Sequence, residues 1–119
     1  MRVKDEVGRF GERLAAEALA ADGLTLLDRN WRCPDGELDI VATEGDVLAF
    51  VEVKTRSTLA YGDPAEAIGP AKAARLRRLA LRWLEAHPGR NWPELRFDVV
   101  AVVRRAPGGP SVRHVRGAF

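Results

Sequence analysis

"VLAFVEVKTR", residues 47–56, decides the fold. Five apolar residues, Val47 to Val51, open it as a buried β-strand would. Glu52 and Lys54 then place two charges, one residue apart, inside this apolar strand. Residues i and i+2 of a strand share a face, so the two side chains project together, ~7 Å apart along the strand. The preceding stretch, "ELDIVAT" (37–43), alternates: Leu38, Ile40 and Ala42 on one face, Glu37, Asp39 and Val41 on the other. "EGD" (44–46) reads as the hairpin connection between the two. A hairpin can place Asp39 beside Glu52 at the end of the sheet.

Two carboxylates converging from neighbouring strands repel each other unless a cation sits between them. A divalent ion with oxygen ligands and spare water positions does this, and Mg²⁺ is the usual one. The Val53 carbonyl, between the two charged residues, is a further candidate ligand. Lys54 beside the ion can orient or deprotonate a water and stabilise charge developing on phosphorus. The pattern is a phosphodiester-hydrolysis layout. Exposed cross-strand salt bridges on a solvated sheet face are the alternative for the same three residues, and spacing alone leaves both open.

Upstream, residues 5–21 read as a helix. Val7, Phe10, Leu14, Ala18 and Ala21 recur at helical spacing as its core stripe. Beside them runs a stripe of mostly small residues, Gly8, Gly11, Ala15 and Leu19, which also carries Glu12. Small residues let a helix approach a neighbour closely, and Glu12 then points to the same place. It can complete the carboxylate cluster or hold a second metal. Gly23 is a helix stop, residues 24–31 a strand and "PDG" (34–36) a turn.

Downstream, residues 57–69 read as a loop, with a helical turn around 65–68. Pro70 suits a first helical position. The helix it opens runs to about His87, with Leu76, Leu79, Ala80, Trp83 and Leu84 on its apolar face. Residues 94–104 form a fourth strand and "SVRHVRGAF" a short last strand or tail. The 70–87 helix is long enough to return the fourth strand parallel to the third. The expected fold is α/β: an αβββαβ order, with a mixed central sheet flanked by helices in one domain, 1–119.

The chain has 119 residues, 30% of them charged and 46% hydrophobic, with a net charge of only +2. No apolar run approaches the ~20 residues of a membrane span, and the N-terminus has no apolar signal region. Cys33 is the single cysteine, so no internal disulfide forms and the expected compartment is the cytoplasm. Only three of the nineteen basic residues are lysine, Lys4, Lys54 and Lys72. A lysine kept inside a strand of an arginine-rich chain fits a role for a compact, titratable amine.

"GRFGERLAAEAL" (8–19), "RNWRCPDGELDIVA" (29–42), "FVEVKTR" (50–56), the run from Lys72 to Leu84, "RFDVVAV" (96–102) and "HVRGAF" (114–119) carry a resemblance along nearly the whole chain. The sequence resembles the YraN family of bacterial proteins. That family lies within the PD-(D/E)XK, or restriction-endonuclease-like, superfamily and is related to archaeal Holliday junction resolvases. The resemblance implies a nuclease-like core, with Asp39 and Glu52 as metal ligands, Lys54 as the catalytic lysine and Glu12 as the accessory acid. Leu38 stands where the superfamily often has proline. Together the residues and the resemblance lead us to expect a Mg²⁺- or Mn²⁺-dependent DNA endonuclease acting on branched or junction DNA, as a homodimer. A non-catalytic nucleic-acid-binding or adaptor protein with the same fold is the alternative.

A chain this short has little room for a recognition domain, so readout should rest on DNA shape and backbone. Lys72 heads the apolar face of its helix, where it can meet a phosphate or snorkel off the core edge. Arg75, Arg78 and Arg82 form a basic stripe beside it, for phosphate binding or for solvation, the latter fitting Arg82 best. Arg56 contacts either DNA backbone or a carboxylate. Glu37 either joins the metal shell or sits at a surface turn. Asp98 and Arg96 read as a structural salt bridge, and Trp31 and Trp92 as core lids or dimer contacts. His114 has no companion at metal-ligand spacing.

Overall fold

The structure is a computed structural model that describes residues 6–58 and 68–119. In chain order it contains α1 (Glu6–Ala21), β1 (Thr25–Cys33), β2 (Gly36–Glu44), β3 (Val47–Arg56), α2 (Pro70–Ala86), β4 (Glu94–Val103) and β5 (Ser111–Val115). The sheet order is β1-β2-β3-β4-β5. β3 runs parallel to β4, and every other neighbouring pair is antiparallel. The expected αβββαβ core and mixed sheet are both present. The turn expected around 65–68 and most of its loop lie outside the described residues.

β3 is central because it lies between β2 and β4 in the sheet and packs on both faces. Ala49 and Val51 join Ile40, Ala42, Val100 and Val102 beneath α1. Leu48 and Phe50 meet Leu76, Leu79, Ala80 and Trp83 of α2 on the other face. Phe50 anchors this second core, edge-on to Trp83 at 6.0 Å and stacked on Phe97 at 5.6 Å. Trp31 and Trp92 pack at the border of the same core, as lids.

Two expected faces are corrected. The core face of α1 is Gly11, Glu12, Ala15, Ala16 and Leu19, while Val7, Phe10, Leu14 and Ala18 are only half-buried and Ala21 is exposed. Close approach outweighs side-chain size here: a Cβ on Gly11 would fall onto the Thr55 hydroxyl of β3. In β2, Leu38 packs under α2 whereas Ile40 and Ala42 pack under α1. β1 also runs on to Cys33, with a register shift between Leu26 and Asp28 and a positive φ of 53° at Asn30.

On β4, Asp98 is fully buried. It accepts from Arg96 Nε at 2.8 Å and Nη2 at 2.9 Å, pairs with His114 Nε2 at 2.8 Å, and accepts from the Gly117 amide at 3.0 Å. Arg96 and Arg116 both reach Glu44 at 2.8 Å. The expected Asp98–Arg96 bridge is therefore real, and it also clasps the C-terminal segment, with Phe119 against Phe97. Burial alone would raise the Asp98 pKa, but the bonds from His114, Arg96 and Gly117 outweigh it and hold it at about 2, against an ordinary 3.8.

Gly11→Ala should cost roughly 1–3 kcal/mol, because α1 must lift off β3. Thermal melting measures the loss, and adding Thr55→Ala should recover part of it.

The depressed Asp98 pKa also sets a pH dependence. Its stabilisation is complete above the unfolded carboxyl pKa, near 4, and is lost as pH falls through the folded value. The loss should be about 2 kcal/mol between pH 5 and pH 2. Urea midpoints across that range should fall for the native chain and stay flatter for Asp98→Asn.

Candidate functional site

The β2–β3 ladder runs from Glu44–Val47 to Ile40–Val51 and stops there. Beyond it β2 stays paired to β1 through Leu38, Glu37 and Gly36. β3 stays paired to β4 as far as Arg56. The two central strands therefore part, and Asp39 and Glu52 stand at the fork. The Val53 amide, left without a ladder partner on β2, donates to Asp39 Oδ2 at 2.9 Å. In an extended strand the N–H and C=O of one residue point to the same side, so the Val53 carbonyl also faces the gap.

Side chains of α1, β2, β3 and α2, with Arg32 and Cys33 of β1, line this fork, in an open cleft of about 810 Å³. β2 contributes Glu37 and Asp39; β3 contributes Glu52, Val53, Lys54 and Arg56; α1 contributes Glu12; α2 contributes Lys72 and Arg75. The positive end of α2 also opens here, since Gly69 provides no side-chain cap and Pro70 starts the helix. Glu12, Glu37 and Asp39 bring carboxylate oxygens within 4.8 Å of one another. Glu37 is held by Arg32 Nε at 3.0 Å.

Glu52 is in hydrogen-bonding reach of Asp39, and its Oε2 lies 2.8 Å from Lys72 Nζ. Burial alone would raise the Glu52 pKa, but the contacts with Asp39 and Lys72 outweigh burial and keep it below the ordinary 4.5. Burial pushes Lys54 down first, and the adjacent Lys72 ammonium pushes it further, to about 8. Lys72 moves the other way. Burial would lower it, yet its contacts with Glu52 and Lys54 hold it above 10.5. The two lysines are therefore divided, one as a fixed cation on Glu52 and one able to change charge near neutral pH.

The expected set Glu12, Asp39, Glu52, Val53 and Lys54 is thus brought together, along with Lys72, Arg56 and Arg75. Arg78 is exposed on α2 and does not line the cleft. Arg82 is engaged with Asp35 and Glu85 at 2.8 and 2.9 Å, which fits its reading as a surface arginine. Glu37 lines the cleft beside Glu12 and Asp39. Sequence reasoning missed the part of Thr55, whose only signal was a glycine on the facing helix, and that of Arg32, which positions Glu37 from a neighbouring strand.

The comparisons with known proteins agree along the whole chain. The profile of the uncharacterised protein family UPF0102 matches residues 11–102. The chain belongs to the UPF0102 family. A UPF0102 protein of Beutenbergia cavernae is 57% identical over 117 residues, covering 98% of each chain. One from Frankia casuarinae is 56% identical over the full length of both chains. Another, from Acidothermus cellulolyticus, is 48% identical over 98% of this chain and 95% of its own. UPF0102 is the YraN family that the sequence resembled. The matched span takes in every acidic residue of the cleft and both of its lysines.

Lys72→Met should raise the Lys54 pKa from about 8 toward, but not to, its ordinary 10.5, because the neighbouring charge goes and the burial stays. Side-chain NMR titration reads this directly. An unmoved Lys54 would assign the whole shift to burial.

Proposed function

We propose that this UPF0102 protein is a divalent-metal-dependent DNA endonuclease. The observation that carries the reading is the convergence of Asp39, Glu52 and Lys54 where β2 and β3 part, with Lys54 lowered to about 8. The donor set fits a hard cation. The acids that meet there, Glu12, Glu37, Asp39 and Glu52, offer carboxylate oxygens, and the Val53 carbonyl faces the same gap. Oxygens sharing one Mg²⁺ at ~2.1 Å lie ~3–4 Å apart, and those of Glu12, Glu37 and Asp39 all lie within 4.8 Å of one another. Asp39 and Glu52, with the Val53 carbonyl, would hold Mg²⁺ or Mn²⁺, and Glu12 and Glu37, gathered around Asp39, would complete the shell. When bound, the ion would supply charge neutralisation at the phosphoryl group and an acidified water.

The chain's own residues do the rest. Lys54, as the neutral amine, accepts a proton from the attacking water; as the ammonium, it donates to a phosphoryl oxygen on which charge grows. Lys72 and Arg75 present positive charge at one lip of the cleft and Arg56 at another, where the phosphates flanking the scissile bond would lie. Branched or junction DNA is the substrate favoured by the resemblance to resolvases. A homodimer would provide two sites for symmetric cutting. Recognition then rests on the backbone and shape of the DNA.

The test is metal-dependent cleavage of labelled four-way junction, flap, single-stranded and linear duplex DNA, in Mg²⁺, Mn²⁺ or EDTA. Glu52→Gln should reduce cutting by at least about 100-fold while DNA binding in EDTA persists. A variant that cuts at the native rate would remove Glu52 from the proposed centre. Binding without cutting by the native chain would favour the adaptor reading.

A further inference from the structure

Some arginines of this chain are held by carboxylates and others are not. Arg82, Arg96, Arg116 and Arg32 are each held by a carboxylate. Arg13, Arg56, Arg104 and Arg105 have no carboxylate partner among the described residues. Their positions are linked. β3 and β4 continue side by side past their paired ends, with the Arg104 amide donating to the Arg56 carbonyl at 2.9 Å and the Arg105 amide to the Ser57 carbonyl at 2.8 Å. Arg56 lines the cleft, so Arg104 and Arg105 follow directly from its rim. On the other side of Arg104 stands Phe10 of α1. The guanidinium of Arg104 lies 5.6 Å from the Phe10 ring centre, and that of Arg13 lies 5.7 Å from the same ring.

Two like charges on one ring repel each other, and neither is neutralised by a carboxylate among the described residues. Each is attracted to the ring face, and that contact also fixes its direction. Ordered, unneutralised guanidiniums beside a cleft are what a phosphate backbone requires. This surface lies on the α1–β4 side, whereas Lys72 and Arg75 enter the cleft from α2.

We propose that Arg13, Arg104 and Arg105 form a second DNA-backbone surface. A strand lying across the cleft is thus held on both sides of the phosphate that meets Glu52 and Lys54. The proposal rests on the nuclease reading and sharpens it: the substrate continues past the reacting phosphate in both directions, and the bond cut is internal. Two of the three guanidiniums lie over the Phe10 ring.

The test measures binding alone, in EDTA and in the Glu52→Gln background, by fluorescence anisotropy on labelled linear duplex and four-way junction across a range of salt. Arg13→Ala with Arg104→Ala and Arg105→Ala should reduce the slope of log affinity against log salt by about 2–3, near 0.9 for each phosphate that is no longer neutralised. Affinity at physiological salt should fall about tenfold or more. Adding Arg75→Ala should weaken binding further and additively, as expected for separate surfaces. Arg105→Glu, at an exposed side chain, is the second variant should the triple substitution not fold, and should weaken binding in the same direction. A folded variant with an unchanged slope overturns this surface and leaves the nuclease reading to the cleavage assay. A parent chain that binds no DNA at low salt overturns both.

Discussion

The hydrogen bond from the Val53 amide to the Asp39 carboxylate is the interaction on which the candidate site depends. A sheet whose two central strands stayed paired would bury its ladder and leave no room for chemistry between them. Here the ladder ends at Ile40–Val51, and an acidic side chain takes over the amide that a neighbouring carbonyl would otherwise have accepted. A buried amide left without an acceptor would cost about 1–3 kcal/mol. Asp39 thus stabilises the fork it occupies, and the same fork admits Glu12 from one side of the sheet and Lys72 from the other. Structural satisfaction and the placement of charge are the same contact.

The protein treats its buried charges in two opposite ways. At Asp98 the carboxylate is bonded by an arginine, a histidine and a backbone amide, and the result is a closed clasp for the C-terminal segment. In the cleft, acids and lysines crowd together with charges imperfectly matched, and their pKa values move apart. The first arrangement suits stability. The second is the kind of environment in which perturbed titration accompanies function. Family membership places the chain among UPF0102 proteins without assigning a reaction, so the chemistry is argued from the side chains themselves.

Much of this was legible in the residues. The apolar run to Val51, broken by Glu52 and Lys54, marked both the central strand and the cleft it lines, because a charge in a buried strand needs a reason. The short hairpin connection read at 44–46 brought Asp39 toward Glu52, and the structure narrows the turn to Gly45 and Asp46. The parallel return of β4 followed from the length of α2. Less legible was the inner face of α1. Periodicity pointed to the larger residues, but a helix seated on Thr55 buries glycine and alanine, and a pattern of hydrophobicity does not record how closely two backbones approach. The division of Leu38 from Ile40 escaped for a related reason: a strand that leaves its partner no longer keeps one face toward one core.

By itself, then, the sequence determined the order of the elements, the antiparallel meander and the identity of the acids and lysines, all of which follow from local periodicity and turn length. Only the tertiary structure decided which charges meet. Lys72 lies on Glu52 because α2 packs on the same face of β3 that carries Glu52 and Lys54. Arg104 reaches Phe10 because α1 crosses the far end of the parallel pair. His114, with no companion visible along the chain, closes on Asp98 across the β4–β5 ladder. Contacts between residues distant in sequence are fixed by packing and register, whose energies belong to whole faces rather than to any short stretch.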